Sequence, residues 1–148
     1  MSPQQREDET YMRRAIELAR RARAAGDTPV GSVVVKGSRV LAEGIEAVRA
    51  ELDVTAHAEL LALRAACRAV GGLDLSACTL YTTAEPCWMC SFALRQTRVA
   101  RIVIGLPTPV IGGAGPPHPI LATRAVPGWA PPPEIVRGVL AGDIAALR

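Results

Sequence analysis

Two short stretches of this chain hold the residue types of a metal site. They are Thr55-Ala56-His57-Ala58-Glu59 and Pro86-Cys87-Trp88-Met89-Cys90, whose first cysteine lies 30 residues after the histidine. One imidazole and two thiolates suit Zn²⁺, and three protein ligands instead of four leave a coordination position for water. Water on zinc ionises near neutral pH and becomes a hydroxide nucleophile. Glu59, two residues from His57, offers a carboxylate to take the water's proton and hand it to a leaving group. The set reads as a hydrolytic site.

A bare Cys-x-x-Cys also serves as a redox pair or as half of a closed zinc site. The redox reading leaves the histidine and glutamate without a purpose. A closed site needs a fourth ligand, and Cys67, Cys78 and His118 each stand alone in the chain. An open metal site is therefore expected. Cys67 falls in a helical apolar pattern and Cys78 just ahead of a strand, where free cysteine behaves as a small buried hydrophobe.

These residues need elements to position them. Met12, Ile16, Ala19 and Ala22 at helical spacing predict a helix over 8–25. Strands follow at 30–35 and 39–42, joined by Lys36-Gly37-Ser38, with a loop over 44–54. Thr55 is the expected N-cap of a helix reaching Val70. A strand over 79–83 leads to a helix over 87–97, opened by Pro86. Cys87 and Cys90 then share one face of its first turn, where the positive helix end favours thiolate. His57 opens its own helix, so two helix N-termini would hold the metal between them. A strand over 99–105, an ordered Pro- and Gly-rich loop over 106–133, a strand over 134–137 and a helix over 139–147 complete the chain. This order predicts a three-layer α/β/α sandwich around a mixed five-stranded sheet.

His57, Glu59, Pro86, Cys87 and Cys90 fit the H-x-E…P-C-x-x-C pattern of zinc deaminases, and the chain resembles the cytidine/deoxycytidylate deaminase superfamily. Pro29-Val30-Gly31, Leu80-Tyr81-Thr82-Thr83 and Glu85-Pro86-Cys87 are most similar to the branch of guanine deaminases, fungal-type cytosine deaminases and tRNA adenosine deaminases. The resemblance runs from about Tyr11 to Gly105, with a weaker echo near the C-terminus. It implies the same sandwich, a homodimer, and hydrolytic removal of an amino group from a ring carbon, with Glu59 shuttling protons. It also implies that the backbone N–H of Ala58 holds a substrate oxygen.

Substrate choice is less sharply drawn. In this branch a Gly-x-Asn asparagine usually binds the substrate ring or sugar; here the aligned stretch is Gly44-Ile45-Glu46. Asparagine offers a donor and an acceptor, an ionised glutamate acceptors only. Facing the pocket, Glu46 would select a ring edge carrying N–H donors; facing solvent, it is an ordinary loop residue. Both readings stand. Trp88 and Met89 line either the pocket or a subunit contact. His118 and Trp129 are either lid groups for a flat ring or packing residues.

The expected activity is deamination of a free nucleobase or related aminated heterocycle (guanine-, cytosine- or triazine-like). The alternative is a tRNA adenosine-to-inosine deaminase, with the same chemistry on a flipped-out base. Against it stand Glu46 in place of asparagine, the unfamiliar segment Gly105 to Gly113, and the lack of a basic C-terminal tail. A third reading, a non-catalytic zinc-binding partner subunit, is disfavoured by the intact ligands and Glu59.

At 148 residues the chain (1–148) is expected to form one domain. Its 49% hydrophobic and only 3% aromatic content demands an aliphatic core. No apolar stretch approaches a membrane span, and Met1 to Thr10 has no apolar signal region. Four cysteines, two of them metal-spaced, make no disulfide framework, so a reducing cytoplasm is the expected location. Arg13, Arg14, Arg20, Arg21 and Arg23 cluster, yet Glu17 lies four residues from both Arg13 and Arg21. A solvated helix face accounts for them, and a net charge of +3 does not demand a nucleic-acid partner.

Overall fold

β1 (Gly31–Lys36) and β2 (Arg39–Ile45) form an antiparallel hairpin, and β1 pairs on its other edge, again antiparallel, with β3 (Cys78–Ala84). A helical crossover then makes β4 (Arg101–Leu106) parallel to β3, and a long irregular connection over 107–133 brings β5 (Glu134–Val136) parallel to β4. The computed structural model describes residues 1–148 and gives the strand order β2-β1-β3-β4-β5. The mixed five-stranded sheet is as expected.

Helices cover both faces. α1 (Pro3–Ala24) lays Met12, Ala15, Ile16 and Ala19 against Val33, Tyr81 and Val103, where α5 (Ala141–Ala145) adds Ile144. On the opposite face α3 (Ala58–Val70) and α4 (Trp88–Thr97) pack Ala62, Leu63, Ala66 and Leu94 over Val34, Leu80, Ile102 and Ile104. Alternating strand residues thus feed two separate aliphatic cores, and the small alanines let the helices lie close. Arg101 binds both oxygens of Asp8 at 2.7 Å, and the Tyr81 hydroxyl donates to the same carboxylate at 3.0 Å, joining α1 to β3 and β4. Burial alone would raise the Asp8 pKa, but these partners hold it below the ordinary carboxylate value.

Several boundaries differ from the sequence expectation. α1 begins at Pro3 because Ser2 and Gln5 form a reciprocal capping box ahead of it. β2 continues to Ile45, and a short helix, α2 (Val48–Glu51), interrupts the loop after it. The N-cap of α3 is His57, not Thr55, whose N–H and hydroxyl both bond to Asp53 Oδ1. α4 starts after Cys87, which is its N-cap. The last helix shrinks to Ala141–Ala145, since Gly138 and Leu140 both take left-handed backbone angles just before it. On α1, Arg13 pairs with Glu9 and Arg14 with Glu17, so Glu17 does not bridge to Arg13 or Arg21. All four cysteines are free, Cys78 buried and Cys67 half-buried. No helix is long and apolar enough to cross a membrane.

Candidate metal centre and active site

The two motifs meet where α3 and α4 begin. His57 and Cys87 cap these helices with extended backbone, and Cys90 lies in the first turn of α4. Both sulfurs lie 3.5 Å from His57 Nδ1, and the three donor atoms all fall within 4.8 Å of one another. A tetrahedral zinc with ordinary Zn–S and Zn–N lengths sets sulfur and nitrogen about 3.6 Å apart, so the donor set fits that ion. Buried sulfurs beside one imidazole are also the soft, partly anionic ligands zinc takes. Of the two thiols, Cys87 ionises more readily. Hydrogen bonding from the Cys90 side chain pulls its pKa down to about 5 against the cost of burial, helped by the backbone N–H groups of Cys90 and Met89. The same pairing raises Cys90.

A close backbone approach sets the position of α3. A Cβ at Gly44 would stand 2.2 Å from the Ala58 carbonyl oxygen and 2.8 Å from the Ala62 nitrogen. Only glycine lets the first turn of α3 rest on β2. Gly44→Ala is expected to push that turn outward with His57 and Glu59, costing about 1–3 kcal/mol of stability and lowering zinc retention. Denaturant unfolding together with zinc analysis checks this.

Glu59 is 3% exposed, at the end of a pocket of about 190 Å³ that it shares with His57, Cys87 and Glu46. Burial, and then the charge of Glu46, push its pKa up to about 8, which suits a group that must hold and release protons near neutrality. Glu46 faces this pocket rather than open solvent. Its Oε1 accepts the Ala58 N–H at 3.0 Å, so the donor expected to hold a substrate oxygen is engaged by the chain's own carboxylate. Burial raises the Glu46 pKa, and the Ala58 hydrogen bond opposes that rise.

Glu85 forms the opposite wall. Its carboxylate is 7% exposed and accepts the backbone N–H groups of Thr108 at 3.2 Å and Ala114 at 3.0 Å, while Thr108 Oγ1 donates to its carbonyl at 2.7 Å. A Cβ at Gly112 would come 2.4 Å from Glu85 Oε2. The loop after β4 is thus folded down onto Glu85-Pro86-Cys87, and it presents Thr108 and Ile111 to the pocket. Only its place beside Pro86 marks Glu85 in the sequence. Thr108, Ile111 and Arg148 reach the pocket from loops with no local signal.

The three residues read as either pocket or packing groups take the second role. Trp88 packs edge-on against His118 at 5.4 Å, and Trp129 stacks near Phe92 and over the Arg95 guanidinium, 4.7 Å from the ring centre. None of the three lines the pocket. Met89 is half-buried and outside it too.

Comparison with known proteins matches residues 5–106 to the family described as the cytidine and deoxycytidylate deaminase zinc-binding region. The chain is 42% identical over 140 residues to the tRNA(Ile)-lysidine synthase of Deinococcus deserti, covering 94% of this chain but only 26% of that protein's length. It is 37% identical over 134 residues to the tRNA-specific adenosine deaminase of Bacillus subtilis, covering 90% of this chain and 81% of the relative. With the guanine deaminase of the same organism it shares 44% identity over 91 residues, 61% of this chain and 58% of the other. A solved structure from studies of A-to-I editing by tRNA:A34 deaminases superposes with a TM-score of 0.81 at 32% identity, covering 90% of this chain and 95% of that one. With the fold, the ligand trio and more than half of the chain in agreement, the chain belongs to the cytidine and deoxycytidylate deaminase family and carries its zinc-binding region.

Proposed function

We propose that this chain is a zinc-dependent deaminase that converts adenosine to inosine in tRNA. Sequence identity across nearly the whole chain supports the reading. Over 90% of the chain it is 37% to the tRNA-specific adenosine deaminase of Bacillus subtilis, and among solved structures it is 32% for the tRNA:A34 deaminase against 28% for the guanine deaminase of Nitrosomonas europaea, which superposes over 94% of the chain. The pocket agrees in size. At about 190 Å³ it is smaller than the ~300 Å³ or more of a drug-sized site, with room for one ring system while sugar and phosphates stay outside. That is how a flipped-out base is taken.

His57, Cys87 and Cys90 would hold the zinc, which when bound acts as a Lewis acid and makes water a nucleophile near neutral pH. Glu59 accepts a proton, gives it to a ring nitrogen, and later delivers one to the departing amine so that ammonia leaves. Its burial keeps competing water from that proton. Glu46 meets the substrate with an acceptor; Thr108 and Ile111 close the other side. Trp88, His118 and Trp129 support the site from outside, and exposed Leu52, Phe92 and Val110 offer apolar surface for a homodimer.

A free aminated heterocycle is the second reading. Glu46 favours it, since an acceptor-only group suits a base edge with N–H donors. One assay separates the two. Zinc-loaded protein is offered an anticodon stem-loop RNA with adenosine at the wobble position, then guanine, cytosine, adenine and an aminated triazine, and ammonia release is followed. Inosine formed in the RNA with the free bases inert is expected. Turnover of a free base with the RNA inert reverses the assignment.

A further inference from the structure

The sheet surface beneath Glu59 changes character at one register position. On the face covered by α3 and α4, β1 and β3 meet as Val34 opposite Leu80, both fully buried in the aliphatic core. The next pair on that face is Ser32 opposite Thr82, and both are likewise 0% exposed. Packing gives no reason for this, because valine or alanine would fill the same space without burying hydroxyl groups that need partners.

The hydroxyls find partners in a line that leads to Glu59. Thr82 Oγ1 donates to the Ala84 carbonyl at 3.1 Å, and Ser32 Oγ donates to Thr82 Oγ1 at 3.0 Å. Ser32 Oγ also lies 3.5 Å from Glu59 Oε1, the outer limit of hydrogen-bond distance. With one proton and two lone pairs, a serine hydroxyl can donate to a carboxylate or accept from a carboxylic acid. While Ser32 donates to Thr82, its oxygen is free to accept from Glu59; turned round, it donates to Glu59. It is thus placed between Thr82 Oγ1 and Glu59 Oε1.

We propose that Ser32, backed by Thr82, is a positioning residue for Glu59, holding Oε1 against the sheet and steadying the carboxyl group at the pocket. The proposal rests on the reading of Glu59 as proton shuttle given above.

The test uses the full-length zinc-loaded protein and the substrate that the assay above yields, stem-loop RNA or free base. Ser32→Ala is expected to lower kcat about tenfold, the effect of one lost hydrogen bond, with KM and bound zinc unchanged. Thr82→Val, which keeps shape and loses the hydroxyl, should lower kcat about threefold, and Thr82→Ser should recover most of that loss. A purely structural role predicts the opposite order, since valine fills the site and serine leaves a gap. Unchanged kcat in Ser32→Ala, or Thr82→Val more active than Thr82→Ser, overturns the proposal. Glu59→Ala is run beside them. If it retains activity, the shuttle reading falls and the proposal with it; if it is inactive while Ser32→Ala is not, the proposal alone falls.

Discussion

Glu59→Ala should lower the deamination rate by about a thousandfold while leaving zinc content and KM close to their original values. General acid–base groups contribute on the order of 10² to 10⁴ in rate, and this one carboxylate is asked to serve at more than one step. Its setting supports the magnitude. The side chain is 3% exposed and its pKa stands at about 8, so it can hold a proton at neutral pH and still release it. Glu59→Gln should be nearly as inactive, because an amide keeps the shape and hydrogen-bonding capacity but cannot exchange a proton. Single-turnover rates with metal analysis decide the matter. A variant that loses zinc along with activity would place Glu59 in the metal site instead.

Losing the metal should have an effect at least as large. Treatment with a chelator is expected to abolish activity, and added Zn²⁺ to restore it; Cys90→Ala should be inactive and beyond rescue. The three donors come from the starts of two different helices, α3 and α4, so a common cation also ties those helices together. Cys90 is 0% exposed and Cys87 7% exposed, and thiolates so buried need a cation for compensation. The melting temperature should therefore fall on chelation as well, though the two aliphatic cores keep the chain folded. An active chelated protein would remove zinc from the reaction.

The metal trio and Glu59 could be read from the sequence because each half of the site is local. Two or three neighbouring residues carry the chemistry, and a helix start presents them. The Gly44-Ile45-Glu46 stretch was also legible as a departure, but only coordinates could show the Glu46 carboxylate turned inward onto Ala58. Thr108, Ile111 and Arg148 reach the pocket from segments without periodicity, and a proline- and glycine-rich loop announces no side-chain direction. For the aromatic residues the sequence left pocket and packing roles open. Trp88 pairs with His118, and Trp129 with Phe92 and Arg95, contacts that no local sequence pattern announces. Apolar spacing does not reach the start of α1, which Ser2, Pro3 and Gln5 mark by capping instead.

The segment running past Ile120 is held by Arg95 in an uncommon way. This buried guanidinium donates to the carbonyl oxygens of Ile120, Thr123 and Ala130 at 3.1, 2.8 and 2.9 Å, and Leu121 O lies 3.4 Å away. Every one of these acceptors is main chain. A peg of this kind constrains where the backbone passes and is indifferent to most side chains threaded around it. Residues 122–127 should therefore accept wide substitution, while removal of a single residue there should act like loss of the arginine itself; Gly128, at φ +81°, is the exception on the same stretch. The region can drift in composition for as long as its length and path are kept.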